Sequence, residues 1–102
     1  MEKQSFDEKC YSMLRKVPKG KITTYKAIAQ ALGTMAYRAV GNAMNKNPYA
    51  PEVPCHRVIA SDGSLGGYGQ GVQKKIQILK SEGIEIDDNN KIDLNKYLFN
   101  FK

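Results

Sequence analysis

The sequence has few residues of the kinds that bind metals or form disulfides. It contains one histidine and two cysteines, Cys10 and Cys55, among 102 residues. A closed zinc site takes about four cysteine, histidine or carboxylate ligands at regular spacings, and no such spacing is present. We therefore expect no metal. The sequence also has no export signal, so we expect both thiols to be free in a reducing compartment.

Long hydrophobic runs are missing as well. The initial MEKQSF is not followed by an apolar stretch of signal-peptide length, and no segment approaches the roughly 20 apolar residues of a membrane span. This excludes a membrane protein and predicts a location in the cytoplasm, or in the nucleus of a eukaryote. A chain of 102 residues, 41% of them hydrophobic, supports one core and not two. We expect a single domain over residues 1–102 that acts as a monomer.

Acidic residues are scarce through most of the chain. Residues 1–80 contain 13 Lys or Arg and 5 Asp or Glu, whereas residues 81–102 contain 3 and 5. A basic surplus of this size supplies counterions to a polyanion, which is the sequence-independent part of nucleic-acid binding. Many soluble proteins are basic for solubility alone, so the charge by itself does not establish a nucleic-acid partner.

The apolar spacing predicts four amphipathic helices. The first ends before Pro18 and places these residues on one stripe: Phe6, Cys10, Leu14 and Val17. The second, TYKAIAQALG, follows an N-cap at Thr23 or Thr24 and has this inner face: Ala27, Ile28, Ala31 and Leu32. The third, AYRAVGNAMNKN, carries Val40 and Met44 one turn apart. Since a tight turn with Gly33 joins the second and third helices, they describe a helix-turn-helix.

The rest of the chain is less regular. Residues 47–54 contain three of the four prolines and predict a stiff, extended connection. Val58 and Ile59 indicate a brief strand or an extended turn, and five glycines within residues 61–71 predict a loop that packs closely against something. The fourth helix has Val72, Ile76 and Leu79 on one side, and residues 84–94 favour a small hairpin. The pattern predicts a mainly α fold, a winged-helix-like helix-turn-helix domain with short β elements near the C-terminus.

The pair Cys55 and His56 is the sharpest chemical feature. A thiol is a useful nucleophile only as thiolate, and an adjacent imidazole with a nearby cation lowers the pKa of a cysteine. Neighbours on an extended strand point to opposite faces, so the pair cooperates only if the backbone turns there or a water bridges the two groups. A bare Cys-His dipeptide is more often a buried cysteine beside a structural histidine, and the pair alone does not decide between these interpretations.

Five motifs stand in one order along the chain: VPKGKITTY, YRAVGNAMNKNP, PCHRVI, GGYGQG and KSEG. In this register, from about Phe6 to Gly83, they resemble the DNA-binding, active-site domain of the O6-alkylguanine-DNA alkyltransferases, also called methylated-DNA–protein-cysteine methyltransferases. The resemblance implies that the protein extrudes a damaged guanine from duplex DNA and moves its O6-alkyl group irreversibly onto its own Cys55. Each molecule would act once, without metal or cofactor.

The resemblance assigns three residues to the transfer itself. Cys55 matches the alkyl acceptor. His56, through a water, and Glu82 match the relay that takes the thiol proton, with the carboxylate stabilising the imidazolium that forms. Without the resemblance, Glu82 is an acid near a helix end, a position that is usually solvated.

Six residues match the pocket for the extruded guanine: Tyr25, Met44, Asn47, Val58, Tyr68 and Gly69. The resemblance implies that Tyr25 helps to rotate the nucleotide, that Asn47 braces the loop before the cysteine, and that the Val58 carbonyl accepts from the exocyclic amine. Relatives often carry a larger residue in place of Gly69, but the contact to the guanine oxygen is made there by backbone N–H, so glycine should be tolerated. On spacing alone, Met44 is equally well a core residue.

Seven residues match DNA-contacting positions: Tyr25, Lys26, Tyr37, Arg38, Gly41, Asn45 and Ser61. Arg38 matches the arginine that enters the base stack in place of the flipped base. The resemblance puts the recognition helix in the minor groove, unlike the usual docking of a helix-turn-helix. Contacts would go mainly to phosphates, because damage arises in any sequence context.

Most relatives carry a further N-terminal domain, and its absence is the main departure. Proteins this short include minimal alkyltransferases and alkyltransferase-like proteins, which bind the lesion and recruit excision repair, commonly with tryptophan in place of the acceptor cysteine. The presence of Cys55 favours transfer. A helix-turn-helix regulator would instead bind undamaged DNA sequence-specifically, and a cysteine hydrolase using Cys55 and His56 would turn over repeatedly.

Overall fold

The computed structural model describes residues 5–49, 52–66, 68 and 71–101. It is mainly helical and contains one short pair of strands, so the predicted fold class is confirmed. The elements, in chain order, are α1 (Phe6–Leu14), β1 (Thr23–Thr24), α2 (Tyr25–Ala31), α3 (Tyr37–Lys46), a 3-10 turn (Cys55–Arg57), β2 (Val58–Ile59), α4 (Val72–Ser81) and α5 (Leu94–Tyr97). None of the helices in these residues is long and apolar enough to span a membrane.

Helices α1, α2 and α3 pack together and bury the first of two apolar clusters. Its buried members are Cys10, Tyr11, Leu14, Val17, Ile28, Ala29, Val40, Ala43, Met44, Val53 and Val58. Helix α1 begins after an N-cap at Ser5, whose side chain accepts from the Glu8 N–H. The helix ends at Leu14, so Val17 reaches the core from the turn that follows.

Helix α2 begins where the sequence predicts, with one correction to its inner face. The Thr24 side chain accepts from the Ala27 N–H at 2.9 Å, which identifies Thr24 as the N-cap. The residues that are fully buried are Ile28 and Ala29, whereas Ala31 is exposed and Leu32 is half-buried. Helix α2 contacts both α1 and α3. Its buried face therefore points between these two helices and is centred on Ile28 and Ala29, not on the predicted inner face.

The two strands join the second helix to the segment that holds Cys55. Strand β1 pairs in parallel with β2, with Thr23 opposite Val58 and Thr24 opposite Ile59. Tyr25 directly follows β1, and Cys55–Arg57 directly precede β2. The pairing therefore places the start of α2 beside the cysteine turn, although the two are 30 residues apart in sequence.

A second apolar cluster lies under the C-terminal part of the chain and comprises Ile22, Ile59, Leu65, Leu79, Ile84, Ile92 and Tyr97. The hairpin predicted for residues 84–94 is wrong. The Asp87 N–H bonds the Lys91 carbonyl and closes a turn, but Lys91 forms its bridge with Ser64. Burial of Ile92 in this cluster favours that bridge. Among the described residues, β structure near the C-terminus consists of isolated bridges at Lys91 and Leu98.

The inner face of α4 also differs from the prediction. Leu79 is buried and Ile76 half-buried, but Val72 is 39% exposed because it is the first residue of the helix. The fully buried residue one turn before Leu79 is Lys75. Helix α4 thus presents a charged side chain to the interior, which the apolar pattern does not reveal.

Candidate active site

Cys55 lies at the start of the 3-10 turn that follows the proline-rich connection. The Cys55 N–H donates to the Val53 carbonyl and the Arg57 N–H to the Pro54 carbonyl, both at 2.9 Å. The backbone therefore turns at Cys55 and His56, which meets the condition for their side chains to cooperate. Cys55 is a free thiol in a partly exposed residue.

Behind Cys55, one buried carboxylate joins two side chains of the turn. Glu82, the C-cap of α4, lies 3.0 Å from His56 Nε2. It also accepts two bonds from Arg57, Nε to Oε1 at 2.9 Å and Nη2 to Oε2 at 2.7 Å. Only 4% of the His56 side chain and 9% of the Glu82 side chain are exposed. Sequence analysis expected a solvated acid at Glu82 in the absence of the resemblance, whereas the fold buries it against the histidine.

The protonation states of this pair follow from its surroundings. Burial lowers the pKa of His56 below its ordinary value of 6.5, against the opposing effect of Glu82, and the charges of Arg57 and Lys75 lower it further. Burial alone would raise the pKa of Glu82, but the hydrogen bonds from Arg57 and His56 outweigh it and the pKa is lowered. At neutral pH the site therefore holds a neutral imidazole beside a carboxylate. Such a pair can accept a proton and stabilise the imidazolium that results.

Asn47 and Met44 support the cysteine turn from the end of α3. The Asn47 side chain donates to the Val53 carbonyl at 2.8 Å and accepts from the Tyr49 N–H at 2.9 Å. It thereby ties the end of α3 to the segment just before Cys55. Met44 is buried in the first cluster, against which Tyr25 and Cys55 also pack.

Tyr25 and Tyr68 lie close enough to Cys55 for its charge to act on both phenols. Both are partly buried, and burial raises the pKa of each phenol, as does the nearby Cys55 thiolate. Both phenols are therefore hydrogen-bond donors at neutral pH. The glycine-rich loop passes directly over Tyr25, since a Cβ on Gly66 would stand 3.1 Å from the phenol oxygen. Gly69 lies outside the described residues, so its backbone contact remains a prediction.

Two charged residues of this site, Arg57 and Lys75, were not predicted from the sequence. Arg57 connects Glu82 with the Val17 carbonyl, to which its Nη1 donates at 2.9 Å. The Lys75 ammonium donates to the carbonyls of Val58 and Leu65. Arg57 follows the Cys-His pair directly, and Lys75 stands four residues before the apolar Leu79. In the sequence, only this placement distinguishes Arg57 and Lys75 from other basic residues. It does not show that either charge is buried.

The residues assigned to DNA contact are mainly exposed around the helix-turn-helix. Helix α3 buries Val40, Ala43 and Met44 on one face. On its other face Tyr37, Arg38 and Asn45 are exposed and Gly41 is half-buried, while Lys26 on α2 and Ser61 after β2 are also exposed. The first turn of α3 carries no acidic residue and no side-chain cap, which suits an anionic partner.

The volume of the cavities does not point to the site around Cys55. A groove of about 660 Å³ lies between α1, α2 and the C-terminal residues, and neither Cys55 nor any residue of its network lines it. Within the part of the chain that the structure describes, no three histidine, cysteine or carboxylate side chains converge as a metal site requires.

Comparison with known proteins agrees with this geometry. The family model for the DNA-binding domain of 6-O-methylguanine DNA methyltransferase matches residues 5–84. The chain belongs to this family. A methylated-DNA–protein-cysteine methyltransferase of Metallosphaera sedula is 51% identical over 79 residues, which is 78% of this chain and 49% of the relative. The resemblance inferred from the motifs is thereby confirmed.

Solved structures of the alkyltransferase family show the same fold. The O6-methylguanine-DNA methyltransferase of Pyrococcus kodakaraensis superposes with a TM-score of 0.72 at 45% identity, over 79% of this chain and 47% of its own. The S. pombe protein Atl1, solved with damaged DNA containing O6-carboxymethylguanine, superposes with a TM-score of 0.83 at 32% identity. That match covers 98% of this chain and 99% of Atl1. The chain thus spans about half the length of the methyltransferases and nearly the whole length of Atl1.

Proposed function

We propose that the protein repairs O6-alkylguanine in duplex DNA by moving the alkyl group onto Cys55. The observation that carries the proposal is the free, partly exposed Cys55 on a turn whose next residue, His56, is bonded to the buried Glu82 side chain. The Tyr25 and Tyr68 phenols lie within electrostatic reach of Cys55. Family membership and the names of the relatives support the same assignment.

The transfer is a displacement at the alkyl carbon. The Cys55 thiol gives its proton to neutral His56 through a bridging water, and Glu82 stabilises the imidazolium. The sulfur attacks the alkyl carbon, the new C–S bond forms as the C–O6 bond breaks, and the electron pair stays on the guanine. Hydrogen bonds from the Tyr25 phenol and the Gly69 N–H stabilise the departing base, which is neutralised by a proton. The product on the protein is a stable thioether, so each molecule reacts once.

The substrate base must leave the double helix before it can reach Cys55. Extrusion costs a few kcal/mol of stacking, and Tyr25 with the intercalating Arg38 would offset it. Lys26, Tyr37, Gly41, Asn45 and Ser61 would hold the strand, mostly through phosphates. Such a protein acts in the compartment of the DNA, the cytoplasm of a prokaryote or the nucleus of a eukaryote.

The central experiment is intact mass measurement after mixing with a duplex that carries one O6-methylguanine. We expect a gain of about 14 Da, the mass of one methylene unit, mapped to Cys55 and absent in Cys55→Ala. The amount transferred should never exceed one group per protein. Repeated turnover, or a methyl group on another residue, would sink the proposal.

A second experiment tests the role of Arg38. In Arg38→Ala, we expect transfer from duplex DNA to slow far more than transfer from free alkylated guanine, because only the duplex leaves a gap to be filled. Lys80→Ala removes another exposed cation, from α4, and is the matched control. Equal losses on the duplex and on the free base would contradict the role of Arg38.

Lesion binding without transfer is the second candidate function. The nearly complete superposition on Atl1, solved with damaged DNA, favours it, and the presence of Cys55 opposes it. The two functions separate in the mass experiment. A lesion binder would form a stable complex with the O6-methylguanine duplex and show no gain in mass.

A further inference from the structure

Residues 91–99 form a C-terminal segment that lies beyond residues 5–84, the part of the chain that matches the family model. The start of this segment does not form the predicted hairpin with the residues before it. The segment pairs instead with two distant elements, the start of the glycine-rich loop and the strand before Tyr25. Because these two elements meet at Tyr25, the segment can influence the guanine pocket from outside it.

One end of the C-terminal segment is packed against the start of the glycine-rich loop. The Ile92 N–H donates to the Gly63 carbonyl at 2.9 Å, and Lys91 forms an antiparallel bridge with Ser64. Gly63 has φ of 90°, and a Cβ on it would stand 2.8 Å from the Ile92 carbonyl oxygen. Cβ atoms essentially never come that close to another atom, so this contact requires glycine. The loop is therefore fixed to the segment shortly before it reaches Gly66.

The other end of the C-terminal segment pairs with the residue before β1. The Ile22 N–H donates to the Tyr97 carbonyl at 3.0 Å, and the Phe99 N–H donates to the Ile22 carbonyl at 2.8 Å. Leu98 thereby forms a parallel bridge with Ile22. Since Tyr25 directly follows β1, these bonds hold the strand that places Tyr25.

Buried side chains connect the same three parts of the chain. The second apolar cluster contains members from the strand, the loop and the C-terminal segment: Ile22, Leu65, Ile92 and Tyr97. Leu65 directly precedes Gly66, where the loop passes over the Tyr25 phenol. Close-packed interiors transmit small displacements. A shift of the segment should therefore change the contact between the loop and Tyr25.

We propose that the C-terminal segment is a positioning element for the guanine pocket: by bonding both Gly63 and Ile22, it sets the spacing between the glycine-rich loop and Tyr25. This inference rests on the proposed function and deepens it. The hydrogen bonds that join His56, Arg57 and Glu82 involve no residue of the segment. The segment should therefore govern how well the base binds and leave the reactivity of the Cys55 thiol unchanged.

The first test compares Gly63→Ala with Gly33→Ala. Gly33 has φ of 75° and nothing within 4 Å of an added Cβ, so this control carries the backbone strain alone. In folded Gly63→Ala, the half-saturating concentration of free O6-benzylguanine in single-turnover transfer should rise by about fivefold or more, because the pocket is less well preorganised. Iodoacetamide needs no guanine pocket, so it should alkylate Cys55 at the same rate in both variants.

The results separate this inference from the proposed function. If the wild type takes up no alkyl group from damaged DNA, the proposed function fails. If the wild type reacts and the two folded alanine variants have the same half-saturating concentration, the positioning role fails. It also fails if Gly63→Ala slows iodoacetamide as strongly as it weakens half-saturation, since the whole site would then be disturbed. A glycine needed only for folding would lower the unfolding midpoint and leave both values unchanged.

Hydrogen exchange followed by NMR serves if Gly63→Ala does not fold. Coupling between two sites is reciprocal, so a base in the pocket should in turn stabilise the C-terminal segment. In Cys55→Ala, which has no acceptor thiol, saturating O6-benzylguanine should slow exchange of the Ile92 and Phe99 amides by about threefold or more. The Arg15 amide, bonded to the Tyr11 carbonyl at the end of α1, is the control. An equal effect on all three amides would overturn the inference.

Discussion

The two cysteines of this chain lie in two regions that are built differently. Cys10 is packed among apolar side chains of α1, α2 and α3, and burial, with a smaller contribution from Asp7, raises the pKa of its thiol to about 11. Cys55 is partly exposed and is followed by largely buried, hydrogen-bonded polar side chains: His56, Arg57, Glu82 and Lys75. Burial in an apolar core keeps a thiol protonated and unreactive. A reactive thiol needs polar groups around it, and these remain inside only because each has partners.

The largest effect is expected from Glu82→Gln, because Glu82 bonds both His56 and Arg57 in the polar region around Cys55. Transfer should slow by about 100-fold, because the amide stabilises the His56 imidazolium poorly. The free energy of unfolding should fall by roughly 3 kcal/mol, since the Arg57 charge loses its partner. Single-turnover kinetics and urea denaturation measure the two effects.

Glu52→Gln is the matched control, since Glu52 forms an exposed pair with Arg15 at 3.7 Å. Surface pairs of this kind contribute little to stability. If Glu82→Gln transferred as fast as Glu52→Gln, the relay would not operate through Glu82.

A smaller effect is expected from Gly66→Ala, which crowds the Tyr25 side chain. Gly66 has φ of 68°, and an added Cβ would lie 3.1 Å from the Tyr25 phenol oxygen and 3.3 Å from its ring. Gly33 has φ of 75° and nothing within 4 Å of such a Cβ. Both alanines should therefore cost about 1 kcal/mol of backbone strain, but only Gly66→Ala should slow transfer, by about tenfold. Equal rates in the two variants would show that Tyr25 tolerates the contact.

The pH dependence of stability sharpens the contrast between the regions. The pKa values of His56 and Glu82 are both lowered in the folded protein, from ordinary values of 6.5 and 4.5. Below these values the unfolded chain binds more protons than the folded one, so the polar region should lose stability as the pH falls from 6.5. Urea midpoints at pH 7.5, 6 and 5 measure the loss. His56→Gln should remove the part of this loss that occurs nearest pH 6.5. If the urea midpoints of that variant fell with pH as those of the wild type do, the loss could not be attributed to His56.

Cys10 should affect the pH dependence of stability at alkaline pH. Its pKa is raised from 9.0 to about 11 by burial, so its contribution to stability should be lost as the pH rises above 9, when only the unfolded chain ionises. The difference between the wild type and Cys10→Ala measures this loss.

The smallest effect on activity is also expected at Cys10. Cys10→Ala should transfer at the wild-type rate, because its side chain lies among apolar residues and takes no part in the proton relay, and should lose only about 1 kcal/mol of stability. Transfer kinetics with the O6-methylguanine duplex check the first point. A clear loss of transfer would show that the two regions are coupled.

The features that the sequence predicted well are local ones. The Thr24 cap, the start of α2, the buried Val40 and Met44 on α3 and the short strand at Val58 depend on residues within one or two turns of each other, and the structure contains all of them. The errors concern contacts between distant segments. Lys91 pairs with Ser64 and not within a hairpin, and the inner face of α2 is set by two helices at once.

The sequence by itself determined the helix-turn-helix and, through the order of five motifs, the family. Only the tertiary structure decided which charges are buried. His56 and Glu82 are 26 residues apart, and Lys75 is 17 residues from Val58. Nothing in local propensity distinguishes a solvated glutamate or lysine from a buried one. That distinction depends on whether the fold brings a hydrogen-bonding partner to each charge, because an unpartnered charge would not remain inside.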